Sequence, residues 1–226
     1  MLEVFEKGGF LMYPIFICSL IAMTIFFERM FYLKSIKTKS KKYVLRVKNL
    51  VKKGSIELAI SACRKSTTPI SKLMLAGLMK FGQGRDEMKE AVEDRAKQEI
   101  PILERNLATL STIGNITPLL GLLGTVFGMV KAFNVIAIVG VGNPVALAGG
   151  ISVALLTTAF GLSVAIPTVV VYNYLSHRVD ELIREMEVNC IELIDLLTYQ
   201  ETNNVGIIRD SLSQGGEVEY EISSSK

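Results

Sequence analysis

From Asn106 to Val179 the chain has no Asp and no Glu, and from Asn106 to Ser176 its single charged side chain is Lys131. Without a carboxylate this interval holds no acid–base pair of its own, and an ion pathway through it must take its acid from another chain. Cysteine is scarce as well: Cys18, Cys63 and Cys190 are too few and too scattered to frame a disulfide-stapled fold or a metal site, and they read as small buried hydrophobes. His177 is the one histidine, which argues against a His-based metal centre or catalytic triad. No cofactor motif is evident. What is abundant is apolar: 50% of residues are hydrophobic and 21% charged, in a chain of 226 residues. That balance is high for a soluble protein and points to a membrane.

The apolar residues fall in three places. The first run, 10–27, is just long enough for a helix to cross the roughly 30 Å hydrocarbon core. A cleaved leader is its rival, but Glu3 and Glu6 stand in place of a basic n-region, and Glu28-Arg29 follows where small residues would mark cleavage. The segment is therefore expected to persist as a membrane helix. Lys34, Lys37, Lys39, Lys41, Lys42, Arg46 and Lys48 follow it, a run that the positive-inside rule assigns to the cytoplasm. Residues 1–9 are then a short periplasmic N-terminus. The interleaved Phe31, Tyr32, Leu33 and Ile36 favour a helix leaving the bilayer over a nucleic-acid arm.

Residues 28–108 are expected to form a cytoplasmic helical region with breaks at Thr67-Thr68-Pro69 and Gly82-Gln83-Gly84. Asp86 is a candidate N-cap, since its side chain can accept from free N–H groups of a first turn. Ala91, Val92, Ala96, Ile100, Leu103 and Leu107 recur every three to four residues, as on one buried helix face. Pro101 interrupts that face. Glu87, Glu90, Glu93, Asp94 and Glu99 alternate with Lys89, Arg95 and Lys97, which predicts a solvated, ion-paired surface and no catalytic constellation.

The second and third membrane segments span 109–139 and 147–175, joined by an uncharged turn at 140–146 that fits the outer side. A cytoplasmic helix is expected over 176–201, with Val179, Leu182, Ile183, Met186, Cys190, Ile191, Ile194 and Leu197 at near-heptad spacing. Residues 202–226, rich in Ser, Gly and Glu and without periodicity, predict a disordered tail.

Inside the second segment Gly121, Gly124 and Gly128 fall on one side of a helix, where backbones can approach closely, and Gly161 is a matching small residue on the third. Pro118 and Pro167 each remove a backbone hydrogen bond and are expected to kink their helices. Thr125, Thr157, Thr158 and Asn115 are the polar groups able to line a narrow path. A membrane threonine commonly bonds its own backbone, so each alone reads as structural. Two helices offering such groups at similar depth favour a path, because hydroxyls both donate and accept. Lys131, late in its segment, is expected to snorkel outward.

The stretches YPIFICSLIAMTIFFERMFYL, TPLLGLLGTVFGMVKAF and GISVALLTTAFGLSVAIPTVVVYNYL resemble the three membrane helices of the ExbB/TolQ group, which is related more distantly to MotA. The resemblance covers Pro14 to about Tyr199. It implies an all-α, three-span protein of the bacterial inner membrane, assembled as a homopentameric ring around ExbD- or TolR-like single-span partners. In that family protons move through an aspartate on the partner, beside threonines of the ring, and energise a TonB- or TolA-like protein. Thr125 in GTVFG and Thr158 in LLTTA match the family's pore threonines. One position departs: Val153 stands where many relatives carry a glutamate, in a motif GI-x-E-AL. No enzyme chemistry, metal or nucleic acid is expected, and Lys34 to Lys42 near the inner interface favour contact with anionic headgroups of membrane phospholipids. A non-conducting scaffold and a self-sufficient channel remain the alternatives.

Overall fold

The computed structural model describes the backbone of residues 9–140 and 144–224, and side chains over 9–138, 140 and 148–202. The described backbone forms six helices: α1 (Met12–Lys52), α2 (Ile56–Lys65), α3 (Pro69–Met79), α4 (Arg85–Glu104), α5 (Leu107–Val139) and α6 (Pro144–Ser224). Three of them are long and apolar enough to cross a membrane, over Met12–Lys52, Leu107–Ile138 and Ala148–Thr202. The chain is an all-helical protein with three candidate spans. Two compact units divide it, one made of residues up to Leu33 with Glu104–Val179, the other of Lys34–Leu103 with Asp180 onward.

In the first unit Met12, Ile15, Leu110 and Leu175 are buried, but many other large apolar side chains face outward while small residues pack inside. Large apolar side chains such as Phe16, Leu20, Leu119, Leu122, Phe127 and Phe133 are exposed, while Ala22, Ala132, Ala154, Ala165, Thr117 and Thr157 are buried. A surface of this kind suits lipid, which offers no hydrophobic incentive to hide large side chains and leaves close packing to small ones. At 33 residues α5 is about 50 Å long at 1.5 Å per residue, more than a roughly 30 Å core requires. It begins after Asn106, whose φ of 64° is left-handed and whose Nδ2 donates to Glu28 Oε2 at 2.9 Å. Asn tolerates this conformation better than other non-glycine residues. The expected continuous helical face from Ala91 to Leu107 is therefore broken at Asn106. Gly140 closes α5 with φ 74°, and Pro144 opens α6; residues 141–143 of the expected turn lie outside the described residues.

The second unit has a conventional interior of Val47, Val51, Ile70, Leu73, Met74, Leu78, Met88 and Leu103 together with Leu182, Met186, Cys190, Leu193 and Leu197. On α6 the buried set includes Leu193, whereas Ile191, expected on that face, is exposed. At about 100° per residue Ile191 lies a full step around the helix from Cys190, away from the side shared by Met186, Leu193 and Leu197. The breaks fall at 66–68 and 80–84, between α2, α3 and α4. Asp86 lies within the first turn of α4, not at its cap, because the helix starts one residue earlier. There its charge still favours the helix dipole. The backbone of α6 stays helical to Ser224, past Thr202 where composition predicts disorder. Extending an existing helix avoids the nucleation step that an isolated segment must make.

Ion pairs join elements within this unit: Lys37 Nζ to Glu181 Oε1 at 2.8 Å, Arg85 Nη2 to Asp195 Oδ1 at 2.7 Å, and Lys48 to Glu192, with Lys48 also donating a hydrogen bond to Asn189 Oδ1. Glu99 corrects the reading of α4 as carrying only solvated acids. It is buried, with its carboxylate held by Lys72 Nζ at 2.8 Å and Arg95 Nη2 at 2.9 Å. Charge alternation along one helix does not reveal that a lysine of α3 converges on the same acid.

Candidate functional site: the α5/α6 seam

Small residues bring α5 and α6 into backbone contact along an antiparallel register. A Cβ placed on Gly150 would lie 2.7 Å from Ala132 Cβ, and one on Gly128 would lie 2.9 Å from Ala154 N and from Gly150 O. One turn further, a Cβ on Gly124 would overlap the Thr157 side chain, 2.3 Å from its Oγ1. At Gly121 it would meet Thr157 O and Thr158 Cα at 3.1 Å, and at Gly161 it would lie 2.8 Å from Thr117 O. Gly114 closes the series against Val169 at 2.8 Å. Glycine here is a requirement of distance, since any side chain would push the helices apart.

Hydroxyls populate this seam and satisfy themselves on helix carbonyls. Thr117 Oγ1 donates to Ile113 O at 2.5 Å, Thr168 Oγ1 to Val164 O at 2.7 Å, and Thr157 Oγ1 to Ala154 O at 2.9 Å. All three are buried. Thr157 therefore sits in the packing seam against Gly124 and not on an open face, unlike the other three polar candidates.

Thr158 differs from its neighbour. Its Oγ1 donates across to Gly121 O on α5 at 3.1 Å, and it remains half-buried. In an α-helix the carbonyl of Gly121 also accepts the N–H of Thr125. The Thr158 hydroxyl and the Thr125 backbone N–H thus share one peptide oxygen, while the Thr125 hydroxyl bonds elsewhere. Thr125 Oγ1 donates to Leu122 O at 2.6 Å and is likewise half-buried. Because both hydroxyl protons point at backbone, the oxygen lone pairs are turned away from it and can accept. Rotation about Cβ–Oγ would reverse the polarity of either. Such a pair can receive a hydrogen bond from a neutral carboxylic acid and give one to a carboxylate, without titrating itself.

Asn115 is exposed on α5, about three turns before Thr125. Pro118 and Pro167 are accommodated within uninterrupted helices. Pro118 leaves Gly114 O, and Pro167 leaves Ser163 O, without the usual donor. The α6 half of the small-residue stripe, Gly150, Ala154 and Ala165, was missed in the sequence reading. Its signal was present as small residues at helical spacing, but alanine is too common to stand out without the partner glycine in view. No cluster of three or more His, Cys, Asp or Glu able to hold a metal occurs among the described residues.

The arrangement defines a membrane protein whose long apolar helices α5 and α6 associate through glycine and threonine. Comparison with known proteins carries this further. The model of the MotA/TolQ/ExbB proton channel family matches residues 65–188, and the chain belongs to that family. It is 33% identical over 198 residues to a putative biopolymer transport protein ExbB homolog of Methanothermobacter thermautotrophicus, covering 87% of this chain and 68% of that protein. It is 30% identical over 178 residues to the biopolymer transport protein ExbB of Salmonella typhimurium, covering 74% and 72%. A shorter match, 43% over 81 residues, joins it to the Tol-Pal system protein TolQ of Pseudomonas aeruginosa.

Proposed function

We propose that the chain is the ring-forming stator subunit of a proton-driven motor in the bacterial inner membrane. With an ExbD/TolR-like single-span partner it uses the proton motive force to energise TonB-dependent transport across the outer membrane. The observation that carries this reading is the Thr158 hydroxyl set on Gly121 O, one helical turn from the half-buried Thr125, inside an interval with no acid. The subunit supplies a hydroxyl-lined sleeve, and the partner's membrane aspartate supplies the titrating group. Protonation removes a charge that is costly in the bilayer, so the partner's preferred position against the ring changes with each proton. Each proton crossing gains about 2.3 kcal/mol per 100 mV.

In this reading residues 10–27, 109–139 and 147–175 cross the membrane, the N-terminus is periplasmic, and five copies form the ring as the family resemblance implies. The chain catalyses no covalent chemistry. Thr125, Thr158 and Asn115 face the conduction path, while Thr157 with Gly121, Gly124, Gly128 and Gly161 holds the helices together. The TolQ match supports a second reading in which the same motor drives a TolA-like protein for envelope maintenance.

The test is proton flux in vesicles containing this protein and its co-purified partner. Thr125→Val/Thr158→Val is expected to lower flux at least ten-fold with the assembly intact. Undiminished flux in that variant, or full flux without any partner, would sink the proposal.

A further inference from the structure

A cavity of about 570 Å³ lies in the first unit at the end of the seam, bounded by residues of α5, by Val153 and Thr157 of α6, and by Gly9, Phe10 and Leu11. Its lining on α5 is one helix face that includes Phe127, Lys131, Asn134 and Ile138. Lys131 is the only charged side chain between Asn106 and Ser176, and no acid exists in α5 or in the lining of the cavity. A cation and an amide donor thus share a cleft whose other walls, Thr157 apart, carry no polar side chain. Phe127, Val130 and Ile138 are more than half exposed there.

We propose that this cavity binds an anionic phospholipid, its phosphate on the Lys131 ammonium and the Asn134 amide, and its acyl chain along Phe127, Val130 and Ile138. Depth is compatible with this. Lys131 precedes the end of α5 at Val139 by about 12 Å at 1.5 Å per residue, and α5 exceeds the hydrocarbon thickness by about 20 Å. The lysine therefore lies near a membrane interface, within reach of headgroups. A small soluble anion would pair with the lysine but leave the apolar walls wet. A phospholipid covers both, and an anionic headgroup supplies the charge that the lining lacks. The lining includes neither Thr125 nor Thr158, and the proposal does not depend on the motor reading.

Native mass spectrometry of the full-length assembly in detergent tests it, with phosphatidylglycerol and phosphatidylcholine offered in equal amounts. The wild type is expected to retain phosphatidylglycerol about five-fold more, the scale of one lysine at an anionic surface. Lys131→Gln should abolish the preference and Lys131→Arg should keep it. Val153→Glu, which places an acid in the same cavity, should also abolish it, and serves if Lys131→Gln fails to fold. A wild type without preference, a preference that survives both charge variants, or displacement of the lipid by millimolar inorganic phosphate would each overturn the proposal. So would a preference seen only in Glu3→Gln/Glu6→Gln, which would assign Lys131 to an intramolecular pair.

Discussion

The two units of this chain hold their helices together by opposite means. Between α5 and α6 the contacts are backbone on backbone, made possible by Gly121, Gly124, Gly128, Gly150 and Gly161, with large apolar residues turned outward. The Lys34–Leu103 and post-Asp180 unit buries Leu, Met, Ile and Val and ties its elements with Lys72–Glu99, Lys37–Glu181 and Arg85–Asp195. The difference follows from solvent. Water drives large apolar groups inside, whereas lipid does not distinguish a leucine from itself and leaves dispersion and hydrogen bonds to do the packing. A substitution conservative in one unit is then severe in the other.

The largest effect is expected at the seam. Gly128→Leu sets a side chain against Ala154 N and Gly150 O, both backbone, which cannot yield. It should cost at least about 3 kcal/mol, the upper range for overpacking. Unfolding in detergent followed by circular dichroism would show it, and an unchanged transition would break the contrast. Next comes the buried carboxylate of the other unit. Lys72→Met/Arg95→Met strands Glu99 without a cation and should cost about 3 kcal/mol. Glu99→Gln should cost less, about 1–2 kcal/mol, because Lys72 and Arg95 are 35% and 38% exposed and can turn to water. Equal losses in the two variants would show that the triad acts as packing and not as charge.

Smaller effects sharpen the same contrast. Arg85→Ala removes an exposed pair and should change stability by less than about 1 kcal/mol, with the difference vanishing in high salt. Burial pushes the Cys63 thiol up to about 11, so the neutral form persists through pH 8 and the thiolate appears only as pH nears that value. Maleimide should therefore label Cys63 at pH 8 only after denaturant opens the unit. Rapid labelling of the folded protein would mean that this interior is less closed than its Leu and Met packing indicates.

The three helices long and apolar enough to cross a membrane, the breaks near Pro69 and Gly84 and the glycine face of α5 were all readable in one dimension, because length, charge and spacing along a single helix encode them. Membership in the proton-channel family was equally legible in the GTVFG and LLTTA stretches. What stayed hidden concerns pairs. Thr157 and Thr158 are adjacent and chemically identical, yet one is buried against Gly124 and the other reaches Gly121 O, since a step of about 100° around α6 exchanges a packing position for a cross-helix one. Glu99 looked like its solvated neighbours until Lys72 arrived from another helix. Asn106 carried no mark of the left-handed turn that separates α4 from α5. Local pattern governs which face of a helix is apolar; register between helices, set by many weak contacts acting together, decides which atoms of that face meet.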